Sequence, residues 1–416
     1  MSPTATPDMP YNPLDWDLDR LGELAKKMDT LREELTRIFP ERDHLINQLV
    51  FALLTQEHIL IDGVWGAGKS DLIDCLLEAI VGSHVFRLSL TRGTTESAVF
   101  GIPNPRTMRD EGKIEYDPQF GMFQADLAEL DEFLDATAPM LRTLLGPMNE
   151  RLFKRGHQSI RLRLMTMMAS TNGDPYEAMK RDGTLSAVID RFIFRSRVRW
   201  LTTATSRRRM YTKYLKGERT TVRISLDDLR WMSGLVVGAQ QITEPQLVDL
   251  YDEIMEALRA AWADAEFPRT FSDRTACKIL QIVEAQAVLR GRYQVVPDDF
   301  YAMRWGICTG GNEEEFELFD ETVRPIIERA NAANQQSIDQ MQISLLEKIK
   351  QEIPHPIGGA AMSPQALVER IRSLTALKEE TDSIKTQIGS TEDLKQTVLG
   401  LIQARIDETD AAIKKE

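Results

Sequence analysis

Gly63-Val64-Trp65-Gly66-Ala67-Gly68-Lys69-Ser70 is the stretch that decides the fold class. It matches the pattern G-x-x-x-x-G-K-[ST] in full, and we call it the phosphate loop. Its context also fits, because the apolar run His58–Asp62 precedes it and a helical pattern follows over Ser70–Val81. The glycines let backbone N–H groups turn towards a phosphate, where a Cβ would intrude. The lysine charge, the Ser70 hydroxyl as a Mg²⁺ ligand and the positive end of the helix complete a predicted site for ATP with Mg²⁺.

Strand and helix patterns alternate on both sides of the phosphate loop. Helical spacing of apolar residues is visible over about 15–39 and 42–55, before the first strand. Further strand patterns, separated by helical stretches, are Val85–Leu90, Ala125–Leu130, Leu164–Ser170 and Ser196–Arg199. Such alternation predicts a three-layer α/β domain with a parallel sheet.

The strand patterns cease after the arginine-rich stretch Ser206–Met210, and Ser225-Leu-Asp-Asp228 is a capping pattern that opens a helix. The predicted organisation is a proline-rich mobile arm over 1–14, an α/β core over 15–202, an all-helical lid over 203–310 and a helical C-terminal extension over 311–416. The extension carries two apolar stripes. We expect them to pack on the chain's own lid, with coiled coils between subunits or a partner site as alternatives. The stripes consist of Leu367, Ile371 and Leu374, and of Leu394, Val398 and Leu401.

Composition narrows the function classes. The 51 basic and 64 acidic residues give a net charge of −13, which argues against a main affinity for nucleic acid or anionic lipid. Three widely spaced cysteines provide neither a disulfide framework nor metal-ligand spacing. The start of the chain lacks the basic and apolar regions of a signal peptide, and no run reaches the ~20 apolar residues that span a bilayer. We therefore expect a cytoplasmic protein.

Polar residues follow two of the predicted strands. Asp131 and Glu132 end the third strand pattern about sixty residues after the phosphate loop, and Asn172 ends the fourth. At the carboxyl end of a parallel sheet these groups lie beside the phosphates. Asp131 would then hold Mg²⁺ through water, Glu132 would activate the attacking water, and Asn172 would hydrogen-bond the γ-phosphate or that water. Glu129 interrupts the apolar strand, so it needs a partner or the strand is shorter.

In this order the motifs resemble those of the AAA+ ATPases, and within them the MoxR family. The resemblance covers about residues 40–305, and the ordered set is specific although each motif is short. Besides the phosphate loop, the set comprises Phe100-Gly101, Gly112–Tyr116, Gly121–Phe123, Leu130–Glu132, Leu144–Arg151, Ala169–Asn172, Ile189–Phe192, Ser272–Arg274, Leu289–Arg292 and Pro297–Asp299. Two departures are the extra residues between Asn172 and Pro175, and Glu129 where the family is apolar.

The resemblance assigns roles. Lys69 and Ser70 correspond to Walker A, Asp131 and Glu132 to Walker B, and Asn172 to sensor 1. Two arginines complete the set. Arg191 is similar to the arginine finger that reaches the neighbouring subunit's γ-phosphate, with Arg195, Arg197 and Arg199 as alternatives, and Arg274 resembles sensor 2 in the lid. Residues 92–122 resemble the helix-2 insert, and Glu150–Leu162 the hairpin before sensor 1, which in this clade faces the axial pore.

The function that this resemblance implies is that of an ATP-hydrolysing chaperone or remodelling motor. It would form a ring, a hexamer being expected, and act on a protein target with a von Willebrand factor A-domain partner on a separate chain. Alternatives are a magnesium-chelatase-like motor subunit, and a scaffold that binds ATP with slow turnover. Nucleic-acid remodelling is disfavoured by the net charge of −13. A small-molecule kinase has no use for an arginine that acts across a subunit boundary.

Overall fold

The computed structural model describes residues 17–238, 245–267, 269–357, 362–384 and 389–414, so the predicted arm over 1–14 lies outside the described residues. The chain divides into two compact units, one ending at Ile327 and one beginning at Glu328. The predicted boundaries at 202 and 310 stay predictions. In the described part, no helix combines the length and the apolar character that crossing a bilayer requires.

Five parallel strands form the central sheet of the first unit, in the order β3-β4-β7-β1-β8. The phosphate loop follows β1, which lies between β7 and β8. Parallel neighbours bring the carboxyl ends of these strands to one edge of the sheet. The strands are β1 His58–Gly63, β2 Ile80–Val81, β3 Val85–Ser89, β4 Leu127–Asp131, β5 Leu152–Arg155, β6 Gln158–Arg161, β7 Thr166–Thr171, β8 Phe192–Val198 and β9 Ile224–Ser225. The α/β fold with a parallel sheet and a helical C-terminal part is confirmed.

Three predicted boundaries were wrong for identifiable reasons. β4 begins at Leu127 rather than at residue 125, because the carboxylate of Asp126 turns away to accept a hydrogen bond from the His84 N–H at 2.8 Å and to pair with Arg230. β8 is seven residues long and covers Phe192–Val198, so its first half lies before the predicted strand. The helix after the phosphate loop ends at residue 79, not at the predicted residue 81. Ile80 and Val81 instead form the short strand β2, which pairs with β9, a strand that the sequence patterns did not predict.

Helices account for most of the remaining chain. They are α1 Leu18–Ile38, α2 Asp43–Thr55, α3 Lys69–Ala79, α4 Glu96–Phe100, α5 Pro105–Glu111, α6 Ala138–Thr143, α7 Leu145–Glu150, α8 Pro175–Arg181, α9 Ser186–Ile189, α10 Ala204–Lys216, α11 Leu226–Gly238, α12 Pro245–Asp264, α13 Asp273–Leu289, α14 Arg304–Ile307, α15 Glu313–Glu352, α16 Pro364–Ser383 and α17 Gly389–Ile413. Short 3-10 turns occupy Gly121–Gln124, Phe133–Asp135, Gly183–Leu185 and Pro297–Met303.

Helix caps follow the capping patterns of the sequence. The Ser225 hydroxyl accepts a hydrogen bond from the Asp228 N–H at 3.0 Å, as the Ser-x-x-Asp pattern predicts. Ser363 caps α16 in the same way, with Pro364 at the first helical position. These caps satisfy backbone donors that the first turn of a helix leaves without partners.

The hairpin β5–β6 is antiparallel and turns at Gly156, as the pattern over Glu150–Leu162 indicates. Phe153 anchors it, with its ring 4.4 Å from that of Phe100 and 5.3 Å from that of Phe123. Gly121 permits this packing, because a Cβ there would lie 2.4 Å from the Val99 carbonyl oxygen. The insert and the hairpin therefore share one apolar core with the sheet.

The second unit is a small helical bundle. Three residues of the predicted stripes, Leu374, Leu394 and Val398, pack together and against the end of α15, so these three do not pack on the lid as expected. Its buried apolar residues are Leu346, Ile349, Leu374, Leu377, Ile384, Val398 and Ile402. Leu401, included in the predicted stripe, is 37% exposed, so the buried face of α17 is centred on Val398 and Ile402 instead.

Candidate nucleotide site

The phosphate loop joins β1 to α3 at the carboxyl edge of the sheet. Gly63 must be glycine, because a Cβ would lie 2.2 Å from the Val198 carbonyl oxygen of β8. Gly66 and Gly68 have φ values of 70° and 77°, a left-handed conformation that side chains disfavour. Lys69 begins α3 directly after the second of them. The loop thus has the backbone shape of an anion-binding turn at a helix N-terminus.

Lys69 is held inside the loop. Its Nζ donates hydrogen bonds to the carbonyl oxygens of Gly63 at 2.8 Å and Val64 at 3.3 Å, and to Oδ1 of Asn172 at 2.9 Å. Burial lowers the pKa of Lys69, while the carboxylates of Asp131 and Glu132 act in the opposite direction. In the described structure, the hydrogen bonds of the Lys69 ammonium group therefore go to carbonyl and amide oxygens and not to a carboxylate.

Two carboxylates stand at the end of β4. Asp131 accepts hydrogen bonds from the Ser170 hydroxyl of β7 and from the Glu132 N–H, the latter at 2.9 Å. Glu132 adopts a left-handed φ of 52°, and its Oε1 accepts a hydrogen bond from the Asn172 amide at 2.6 Å. Burial, followed by the charges of Asp131 and Asp135, raises the pKa of Glu132. A raised carboxylate pKa beside a phosphate-binding loop is typical of a residue that accepts a proton.

Asn172 thus bridges the loop and the carboxylates, accepting from Lys69 and donating to Glu132. The structure brings these three predicted residues together from three elements. Ser70, in the first turn of α3, and Asp131 offer a hydroxyl and a carboxylate oxygen, a donor set that suits Mg²⁺ bound to nucleotide phosphates.

Glu129 has the partner that its position requires. It lies beside Arg87 in the register of β4 and β3, and the Arg87 guanidinium donates to its carboxylate at 3.0 Å. Burial raises the pKa of Glu129, and the hydrogen bond from Arg87 opposes that shift. The polar interruption of the strand is therefore an ion pair at one face of the sheet.

Sequence reasoning missed a second ionic network beside the loop. The Arg197 guanidinium donates to the carboxylate of Asp62 at 2.7 Å and to that of Asp174 at 2.8 Å. Asp174 also caps α8 through the Tyr176 N–H at 2.8 Å. The residues inserted between Asn172 and Pro175 thus supply a helix cap and tie the strand end to β8. The Asp-Pro pattern signals the cap but not the arginine.

Two of the arginine-finger alternatives, Arg195 and Arg197, are engaged in contacts within this chain. Arg197 is committed to Asp62 and Asp174, and Arg195 is only 7% exposed and donates to the Ile189 carbonyl and the Tyr176 hydroxyl. Arg191 differs because it precedes β8 at the amino edge of the sheet, where Phe192 lies opposite His58. Six residues of strand put that edge roughly 20 Å from the loop.

Arg274 lies near Arg191. Burial lowers the pKa of Arg191, and the positive charge of Arg274 lowers it further. Arg274 is exposed in the first turn of α13. The two arginines form a pair, which we call the donor edge, and neither is among the hydrogen-bond partners of Lys69, Glu132 or Asn172.

A cavity of about 460 Å³ lies beside the phosphate loop and was not predicted. Arg42, in its wall, donates to the Ala67 carbonyl at 3.1 Å and to the Arg199 carbonyl at 2.8 Å, and so braces the loop. Trp200 is also in the wall, and its indole N–H donates to the Trp65 carbonyl at 3.2 Å. The cavity is large enough for a nucleoside.

The sequence of this chain is similar to a family model and to several known proteins. The family model described as the MoxR domain in the MoxR-vWA-beta-propeller ternary systems matches residues 26–226. The uncharacterized protein MJ0079 of Methanocaldococcus jannaschii is 24% identical over 374 residues, which cover 88% of this chain and 92% of that protein. Chaperone MoxR1 of Mycobacterium tuberculosis is 25% identical, over 66% of this chain and 74% of its own.

Among solved structures, that of a candidate ATPase from Cytophaga hutchinsonii is similar in fold. The TM-score is 0.53 with 19% identity, and the match covers 76% of this chain and 96% of that one.

Proposed function

The domain over residues 26–226 of this chain is a MoxR-type AAA+ domain, and from that premise we propose that the chain hydrolyses ATP and uses the energy to remodel a protein target. The observation that carries the proposal is the bridge of Asn172 between Lys69 and Glu132. A loop that merely bound nucleotide would not need an acid of raised pKa held on the sensor amide.

In the proposed reaction each residue has one task. Lys69 and the loop N–H groups bind the β- and γ-phosphates, and Mg²⁺, held on the side of Ser70 and Asp131, supplies charge neutralisation when bound. Glu132 orients the attacking water and takes its proton. Asn172 keeps Glu132 and Lys69 at a fixed separation, so that a phosphate bound by Lys69 faces the carboxylate of Glu132.

We further propose that the site is completed by a second copy. Arg191 and Arg274 lie at the donor edge, roughly 20 Å of strand from the loop, so a direct role in hydrolysis requires them to act on a neighbour's nucleotide. A head-to-tail contact of this kind forms a ring when the rotation between neighbouring copies closes, and we propose that it does so here. A hexamer in the cytoplasm is the form we propose.

The family description names a von Willebrand factor A component in the systems of this domain, which supports such a protein as a partner on a separate chain. We propose it as the protein that selects the target.

Glu132→Gln tests the proposal against a scaffold that binds ATP with slow turnover. The amide cannot take a proton, so we expect kcat to fall by at least ~100-fold while ATP binding and assembly persist. Steady-state phosphate release and binding of a fluorescent ATP analogue provide the two readouts. Glu111→Gln, on the exposed helix α5, is the matched control and should leave both unchanged. Turnover that Glu132→Gln leaves intact would favour the scaffold.

A further inference from the structure

Helix α10 has its apolar side facing outward. Four large apolar residues on α10 are exposed to solvent, and we call them the α10 patch. Their exposed fractions are 41% for Met210, 55% for Tyr211, 86% for Tyr214 and 83% for Leu215. Surface helices of globular domains turn their apolar residues to the core. A patch of this kind marks a surface that another body covers.

The inward side of α10 is charged. Lys213 is 7% exposed, its ammonium lies 3.5 Å from the centre of the Phe39 ring, and it pairs with Asp71. This fixed ion pair holds the helix with its polar side to the protein and its aromatic side to solvent. The orientation is therefore determined by contacts rather than by a freely rotating helix.

The α10 patch lies beside α3, the helix that follows the phosphate loop. Asp71 is in the first turn of α3, two residues after Lys69, and Arg219 also pairs with it at 3.1 Å. Asp71 and the patch line one cavity of about 820 Å³. A second body that covers the patch would therefore contact α3, the helix that begins at Lys69 of the phosphate loop.

A second copy of this chain is the occupant that the proposed function requires on this side. If the donor edge acts on a neighbour's nucleotide, that neighbour contacts the side of the chain that carries the phosphate loop, which continues into α3. The contact in a ring is between two different surfaces, so the matching surface lies on the part of the chain that carries the donor edge.

Helix α12 provides that surface through its charge. It packs against α13, where the Tyr251 hydroxyl donates to the Ala276 carbonyl and Arg259 pairs with Asp273 at 3.4 Å, next to Arg274. Its exposed side is acidic around one apolar residue, Val248, which is 48% exposed. The exposed acids are Asp249, Asp252, Glu253 and Glu256, with Asp264 at the end of the helix.

The two helices are complementary. α10 carries the exposed basic residues Arg207, Arg208, Arg209 and Lys216 around its apolar patch. Opposite charges at the rim of an apolar contact direct association and fix register. Resting on the proposed function, we infer that the α10 patch is the docking surface for helix α12 of a second copy, which brings that copy's Arg274 beside this copy's nucleotide.

The first test removes the apolar anchor. Tyr214→Ser with Leu215→Ser should raise the concentration at which the ATP-bound protein assembles by at least about tenfold, since aromatic anchors carry most of an interface's binding energy. Mass photometry across a dilution series measures assembly, and ATP-analogue binding should be unchanged. Met341→Ser, at a residue 76% exposed in the second unit, is the matched control. Wild-type assembly by the double variant would overturn the inference.

The second test is a charge exchange, which does not depend on how the first variant folds. Arg208→Glu and Asp252→Arg should each weaken assembly, and the two changes in one chain should restore it. Failure of the paired chain to assemble better than either single variant would overturn the α12 assignment.

The outcomes separate this inference from the proposed function. A wild-type protein that assembles and turns over ATP, with patch variants that assemble equally well, refutes the docking surface alone. A wild-type protein that stays monomeric at every concentration with ATP refutes the ring itself. A von Willebrand factor A protein bound at the patch would leave self-assembly unaffected by these variants, which also refutes the inference.

Discussion

At the scale of single residues, Asn172 links the two halves of the site, because its side chain contacts both the Lys69 ammonium and Glu132, the proposed base. Its two amide atoms are used differently, Oδ1 by Lys69 and Nδ2 by Glu132. An aspartate in its place would repel Glu132, and a leucine would release both partners. Burial, followed by the charges of Asp131 and Asp135, raises the pKa of Glu132, and the hydrogen bond from Asn172 opposes that shift.

The raised pKa of Glu132 leads to a prediction about pH. A base with a raised pKa is active above that pKa, and its activity is lost as the pH falls through it. Asp135 contributes to the shift, so Asp135→Asn should lower the pKa of Glu132 and move the acid limb of the kcat profile to lower pH. Asp407→Asn, on the exposed side of α17, should leave the limb in place. An acid limb that does not move in Asp135→Asn would show that Glu132 does not set it.

Sequence reasoning predicted that Lys69, Glu132 and Asn172 lie close together, because each follows a strand and parallel strand ends meet at one edge. It could not identify Arg197 as the partner of Asp62 and Asp174. That pairing depends on the register of β8 beside β1, which no local pattern encodes. For the same reason sequence patterns could not show that Arg195 and Arg197 are engaged in contacts within the chain, and the choice of Arg191 stays a prediction.

At the scale of elements, the ion pair between β3 and β4 has a measurable role in stability. Arg87→Met would leave the carboxylate of Glu129, whose side chain is 10% exposed, without its guanidinium partner. Because Arg87 is half exposed, the pair is screened by water, and we expect a loss of about 1 kcal/mol in the free energy of unfolding. Urea denaturation at neutral pH measures it.

Adding Glu129→Met to Arg87→Met provides the control. Two apolar neighbours in register should recover most of the lost stability, since no buried charge remains. Equal urea midpoints for the wild-type protein and Arg87→Met would contradict the assigned pair.

Element boundaries were predicted less well than element types, and the cause is pairing with residues far along the chain. In the sequence, Asp126 lies within a strand pattern and Ile80 within a helix pattern. In the structure, Asp126 pairs with Arg230 outside the strand, and Ile80 pairs with β9. Both partners lie more than a hundred residues away along the chain, beyond the reach of periodicity.

At the scale of the whole molecule, complementation tests whether the donor edge acts on another subunit. Arg191→Ala retains an intact phosphate loop, and Lys69→Ala retains the donor edge. Mixed, they should recover turnover above the sum of the two alone, because some subunits then combine a working loop with a neighbour's Arg191.

Arg199→Ala mixed with Lys69→Ala is the comparison. If Arg191 is the donor, the turnover of this mixture should equal that of its Arg199→Ala subunits measured separately, with no gain on mixing. Mixed assemblies of Arg191→Ala and Lys69→Ala that remain inactive, although mass photometry shows them formed, would exclude a role for Arg191 across the boundary.

Helix α15 runs unbroken from Glu313 to Glu352, and the division between the two units falls within it, beside Pro325. Its early turns bury Phe319, Val323 and Ile327, whereas Leu346 and Ile349 near its end are buried in the bundle. Anyone who wishes to express the halves separately will find no loop to cut. A truncation within 331–340 leaves both sets of buried residues intact, whereas one placed a few turns to either side would remove apolar side chains that complete one of the two cores.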